Sequence, residues 1–97
     1  MIHLVAPEAE SDLLDIWRYI SRESSVRIAD RLIDSIIERF LLLSNHPFAG
    51  RPRNDLRKDL RAFPIRPYVI FYRIERANIL ILRVLHGHRD IEALLGT

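Results

Sequence analysis

The apolar positions of this chain change period twice. Ile2, Leu4 and Val5 open it in loose alternation, stopped by Pro7, and predict one strand over residues 2–6. From there Ala9, Leu13, Ile16, Trp17 and Ile20 recur three or four residues apart, which predicts a helix from Pro7 to Arg22. Pro7 suits the first turn, where its missing N–H has no intrahelical acceptor to lose. Glu8, Glu10 and Asp12 follow in or near that turn, where carboxylates favour the positive end of the helix dipole. Ser24 and Ser25 are suitable N-caps for a second helix. Its apolar side holds Val26, Ala29, Leu32, Ile33, Ile36, Ile37, Phe40 and Leu43, a stripe wide enough to predict more than one packing partner. That helix ends near Asn45, with Pro47 and Gly50 just beyond. So few residues join the two helices that an antiparallel hairpin is expected.

Residues 45–59 read as a polar loop, and after it the period becomes two. Leu60–Ile65 predicts a strand, and Pro64 within it argues for an edge position. Tyr68–Ile74 and Asn78–His86 predict two more, joined by a tight hairpin at Glu75-Arg76-Ala77-Asn78. Strict alternation would put Ile79, Ile81, Arg83 and Leu85 on one face of the last strand and Leu80, Leu82, Val84 and His86 on the other. Both faces are apolar apart from Arg83 and His86, so this strand is expected to be central or covered on both sides. Gly87 breaks it, and Asp90 can cap a short helix over Ile91–Leu95. Helices gathered early and strands late predict an α+β fold in one domain, residues 1–97. In it the helical hairpin packs on one face of a small, mostly antiparallel sheet.

At 97 residues, 48% of them hydrophobic, the chain can build one modest core. With no cysteine it has no disulfide framework, thiolate metal site or thiol nucleophile, and an intracellular, cytoplasmic setting is expected. No apolar run approaches a membrane span, and the first residues lack the basic-then-apolar pattern of a signal peptide. The net charge of +2 conceals an asymmetry: residues 1–45 carry five Arg against eight acids, and residues 46–97 carry ten cations against five. All the cations but Lys58 are Arg, whose planar fork grips phosphates and carboxylates. The basic half is either a solvated face or a surface for a nucleic acid or an acidic protein.

Candidate chemistry is sparse. Asp12/Asp15, Asp30/Asp34 and Asp34/Glu38 have Arg neighbours at the spacing of ordinary helix-surface pairs. His86-Gly87-His88 matches no established zinc-ligand motif, so no metal is expected, and the scattered glycines make no phosphate loop. No cofactor is implied. What remains is basic and aromatic: Arg51, Arg53, Arg57, Lys58 and Arg61, then Arg66, Tyr68, Tyr72, Arg73, Arg83, His86, His88 and Arg89. Arg, His and Tyr gathered on one sheet face could supply a phosphate clamp, an acid and a base. Alternatively Arg73 and Arg83 pair with acids such as Glu75 or Asp90 and hold the C-terminal turn.

The stretch Ile81–Ile91, through Arg83-Val84-Leu85-His86-Gly87-His88-Arg89-Asp90, resembles the C-terminal signature of the ParE branch of the ParE/RelE toxin superfamily. That signature runs roughly Arg-Val-Leu-His-Gly-Arg-Arg-Asp-Ile, so His88 replaces an Arg. Pro7–Ile20, Asn45-His46-Pro47 with Gly50-Arg51-Pro52, Arg61 with Phe63-Pro64, and Tyr68–Arg73 are similar to the same family, in order. The resemblance implies a toxin of a type II toxin–antitoxin pair, with the helical hairpin and small sheet already read from the pattern. It implies a ParD-like antitoxin as partner in a hetero-oligomer, and DNA gyrase as the target inhibited by binding. Arg61, Arg66, Arg73, Arg83, His86, His88, Arg89 and Asp90 are then target- or antitoxin-binding candidates. The RelE branch implies the alternative, a ribosome-dependent mRNA endoribonuclease using Arg66, Tyr68, Arg73, Arg83 or His86. A third reading is a chain that retains antitoxin binding only. The over-wide apolar side of the second helix predicts a groove for the antitoxin's C-terminal segment, with Leu60–Ile65 as an edge for an added strand.

Overall fold

A computed structural model of the chain describes residues 1–89 and 91–95. Its elements are β1 (Ile2–Val5), α1 (Pro7–Glu23), α2 (Val26–Asn45), β2 (Arg51–Pro52), β3 (Arg61–Ile65), β4 (Tyr68–Glu75), β5 (Asn78–His86) and α3 (Ile91–Leu95). Pro7 occupies the first turn of α1, as expected. Ser25 caps α2, its hydroxyl accepting from the Ile28 N–H at 3.1 Å. Only Ser24 and Ser25 separate the helices, and Trp17 Nε1 donates to Asp30 Oδ1 across the hairpin at 2.8 Å.

The five strands lie in the order β1-β5-β4-β3-β2, antiparallel except for the parallel β1–β5 pair. The helical hairpin covers one face, where Ala9, Ile16, Ile36, Phe40 and Leu43 meet Ile70, Tyr72, Ile79, Ile81 and Val84. The broad stripe of α2 serves α1, β1 and β5 together. On the other face a smaller cluster, Leu60, Ala62, Phe71, Leu85 and Leu95, brings α3 against the sheet. β5 is an interior strand, between β1 and β4, and is covered on both sides. β4 and β5 meet through a two-residue turn, with Arg76 at φ 53°.

Three expectations are corrected. The segment 45–59 contains the two-residue strand β2, which pairs Arg51 with Ala62 and Pro52 with Arg61. The strand predicted at Leu60–Ile65 is therefore flanked on both sides over Arg61 and Ala62. Its outer side is open only from Phe63 to Ile65, which is where Pro64 falls. The third correction concerns the alternation of β5. Phe71 pairs with Arg83 and Tyr72 with Ile81, so Leu82 is an extra residue in a β-bulge. The bulge reverses the phase. Ile79, Ile81 and Val84 face the helices, whereas Leu82 and Leu85 join the opposite cluster.

Tyr72 explains the loop before β2. Its ring is fully buried, its hydroxyl donates to the Pro47 carbonyl at 2.8 Å, and it accepts from the Gly50 N–H at 2.8 Å. A Cβ at Gly50 would overlap the Tyr72 hydroxyl and ring, so only glycine brings the backbone this close. Arg61 completes the anchor by donating to the carbonyls of Gly50 (2.7 and 3.1 Å) and Phe48 (3.3 Å).

Candidate functional site

The candidate residues divide between the two ends of the sheet. At the end where Tyr68 pairs with His86, α1 and the strand ends enclose an open groove of about 510 Å³. Ile16, Tyr19 and Ile20 of α1 form one wall, Pro67, Tyr68 and His86 the other, and Asp12, Asp15 and Arg89 bring charge to it. Tyr68 is buried, and desolvation pushes its hydroxyl above the ordinary value of 10, with Tyr19 adding to the shift. It therefore stays protonated at neutral pH. The His86 ring meets Tyr68 edge-on, with centroids 5.6 Å apart. His86 Nδ1 accepts from the His88 N–H at 3.2 Å, a bond that assigns the neutral ring's proton to Nε2. The His88 ring lies 5.2 Å from that of His86. Arg66, in the turn before Pro67, and Arg89, beyond β5, are both exposed.

The remaining sequence candidates do not join them. Arg83 projects from the bulged segment onto α1, where its Nε and Nη2 donate to the two oxygens of Asp12, both at 2.8 Å. Its Nη1 donates to the Leu94 carbonyl of α3 at 2.9 Å. The hydrogen bonds to Asp12 raise the Arg83 pKa further, against the opposing effect of burial. The partner expected among Asp90 and Glu75 is thus Asp12 instead, and Asp90 lies outside the described residues. Arg73 does pair with Glu75, its Nε donating to Oε1 at 2.6 Å. It stands five residues along β4 from Tyr68, about 17 Å at strand rise. Arg61 is engaged with the loop carbonyls. The strand arginines Arg61, Arg73 and Arg83 thus stand apart from Tyr68 and His86, and it is Arg89 that shares the groove with those two.

Asp12 is the residue that sequence reasoning missed. Placed with the helix-surface acids, it is in fact 8% exposed, and besides gripping Arg83 it accepts from the Val84 N–H at 2.9 Å. One carboxylate thereby joins α1, β5 and, through Arg83, α3. A signal was present: Asp12 lies three residues after Ala9 and four before Ile16, inside the apolar stripe. Among the described residues no group of three or more His, Asp or Glu could hold a metal ion, and no helix is long and apolar enough to cross a membrane.

Comparison with known proteins agrees with this architecture. A solved structure described as a chromosomal ParDE TA system from P. aeruginosa superposes with a TM-score of 0.75 at 22% identity, covering 88% of this chain and 92% of that one. Toxin ParE3 of Caulobacter vibrioides is 35% identical over 85 residues, 88% of this chain and 85% of that protein. Toxin ParE1 of the same organism is 32% identical over 88 residues, 91% of each. The family model described as the ParE toxin of the type II toxin–antitoxin system parDE matches residues 4–91. With the fold, the order of motifs and the matched span in accord, the chain belongs to the ParE toxin family of type II toxin–antitoxin systems.

Proposed function

We propose that this toxin inhibits DNA gyrase by binding, without cutting RNA, and that a cognate ParD-like antitoxin neutralises it in a hetero-oligomeric complex in the cytoplasm. The observation that carries this reading is the engagement of the strand arginines. Arg83 is held by Asp12 and Leu94, Arg73 by Glu75 and Arg61 by main-chain carbonyls. A phosphate clamp for in-line cleavage needs guanidinium groups free to reach the scissile group.

The groove beside α1 suits recognition. Its apolar wall of Ile16, Tyr19 and Ile20 can seat the apolar face of an amphipathic helix, and Arg89 can meet a carboxylate on the same segment. Arg66, His86, His88 and Arg89 are the target- or antitoxin-facing residues in this reading. One observation favours the alternative endoribonuclease: Tyr68, His86 and Arg89 border the same groove.

Two assays separate the readings. Gyrase supercoiling is followed with increasing antitoxin-free toxin, and ribosome-bound mRNA is analysed by primer extension. Loss of supercoiling with intact mRNA is expected. Codon-positioned cleavage that disappears in His86→Ala, with gyrase unaffected, overturns the proposal in favour of the nuclease. For neutralisation, Tyr19→Glu should weaken antitoxin binding while leaving the fold intact by circular dichroism.

A further inference from the structure

The proposed function assigns no role to the surface at the opposite end of the sheet, where the β4–β5 hairpin and the segment before β3 come together. Phe48 is the most exposed large apolar side chain of the described residues, at 72%. Its ring is not idle surface: the Arg61 guanidinium lies 5.2 Å from its centroid, and Arg61 also donates to the Phe48 carbonyl. The aromatic ring is thus held out at a fixed position with one cation against it. Beside it lie two open depressions of about 270 and 400 Å³, which have Asp59 and Ile74 in common as lining residues. Phe48 and Arg61 line the first, and Arg57, Lys58 and Arg73 line the second.

The charge of this end is strongly one-sided. Residues 51–61 and 73–76 hold seven cations and three carboxylates. Two of those carboxylates, Asp55 and Glu75, are already bound to Arg53 and Arg73. Arg57 and Lys58 are exposed and have no carboxylate partner among the described residues. A projecting aromatic beside a group of cations is the arrangement that binds single-stranded nucleic acid, with a base stacked on the ring and phosphates along the cations. An acidic protein would use the same charges, but a protein interface also needs an apolar centre, and of the apolar lining residues Phe48, Pro52, Leu60 and Ile74 only Phe48 and Pro52 are exposed.

We propose that this surface binds a single strand of DNA, one base stacking on Phe48 and phosphates further along the strand contacting Arg57 and Lys58. The choice of DNA over RNA rests on the gyrase reading above, because gyrase works on DNA. The stacking surface itself does not depend on it.

The test is fluorescence anisotropy with the full chain and a labelled short oligo-dT, titrated with salt. Phe48→Ala should weaken binding roughly tenfold, the effect of losing one base–aromatic stack. Arg57→Ala with Lys58→Ala should flatten the log–log salt dependence by about 0.7 for each phosphate that is no longer neutralised. Arg27→Ala with Arg31→Ala, an equal loss of two charges on exposed α2, should leave both values as in the parent. Binding by Phe48→Ala as tight as by the parent overturns the proposal, as does equal affinity for a poly-glutamate peptide of matched length. Tighter binding of oligo-rU than of oligo-dT overturns the choice of DNA. Gyrase inhibition is measured on the parent in parallel. If it fails while Phe48-dependent strand binding persists, the gyrase reading falls and the strand site stands.

Discussion

Two strand arginines, Arg73 on β4 and Arg83 on β5, each meet a carboxylate, and the two pairs differ in nearly everything else. Arg73 reaches Glu75 two residues along its own strand, with the side chains 32% and 45% exposed. Arg83 reaches Asp12 across 71 residues of sequence, with exposures of 21% and 10%, and both partners are fully subscribed by the Val84 N–H and the Leu94 carbonyl. The first pair is bathed in water, and such pairs contribute about 0.2–1 kcal/mol. The second is a tertiary joint, and removing one partner strands a charge among packed groups. Cationic strands are therefore weak evidence for a phosphate site. Tertiary geometry decides which arginines remain available: Arg66 and Arg89 at one end of the sheet, Arg51 and Arg57 towards the other.

The largest expected effect breaks the tertiary joint. Asp12→Ala should cost stability toward the lower end of roughly 3–5 kcal/mol, because Arg83 keeps some solvent contact while the Val84 N–H loses its acceptor. Urea unfolding measures it, and a midpoint equal to the parent's would show that the joint carries no load. A double-mutant cycle on Asp12 and Arg83 should give a coupling well above that of the Arg73–Glu75 cycle.

Next comes the other long-range polar anchor. Tyr72→Phe removes the bond to Pro47 and leaves the Gly50 N–H without its acceptor, for a loss of about 1–3 kcal/mol. The same method applies. A second consequence is specific to the anchor: faster proteolysis within residues 46–52, which a general loss of core packing would not confine to that loop. Glu75→Ala, by contrast, should change stability by no more than about 1 kcal/mol, and its effect should fade in high salt.

The same distinction between local and distant partners marks what the sequence made legible. Both helices and the two-residue hairpin depend on residues within a few positions of one another, and pattern alone located them; it offered Ser24 or Ser25 as the cap and Glu75 or Asp90 as the arginine's partner, and the structure makes the choice. β2 escaped because two residues carry no period. The bulge at Leu82 escaped because an inserted residue is visible only against its partner strand, and it carried the facing of Arg83 and Leu85 with it. Asp12 escaped for the most instructive reason. Its helix spacing was real, but the carboxylate lay inside the apolar stripe, and its partner lay at the far end of the chain. The groove was half legible: Tyr68 and His86 were singled out, whereas the α1 wall that encloses them emerges only when the hairpin folds over the sheet.

The smallest expected effect isolates a local pair at the surface, with Asp55 exposed and Arg53 half-buried. Asp55 accepts from Arg53 Nε and Nη2 at 3.0 and 2.9 Å, and this hydrogen bonding lowers its pKa below the ordinary 3.8. A carboxylate whose folded pKa is depressed contributes stability above its unfolded value. That contribution is lost as pH falls from about 3.8 through the depressed folded value. Asp55→Asn should therefore be slightly less stable than the parent at neutral pH. The difference should shrink as the solution is acidified below pH 3.8 and vanish once Asp55 is protonated in both states. Paired urea melts across that window measure it. A difference that stays constant with pH would assign the effect of the substitution to loop conformation rather than to charge. High salt at neutral pH should also shrink the difference, because both side chains of this pair face solvent, whereas it should leave the Asp12–Arg83 coupling largely unchanged.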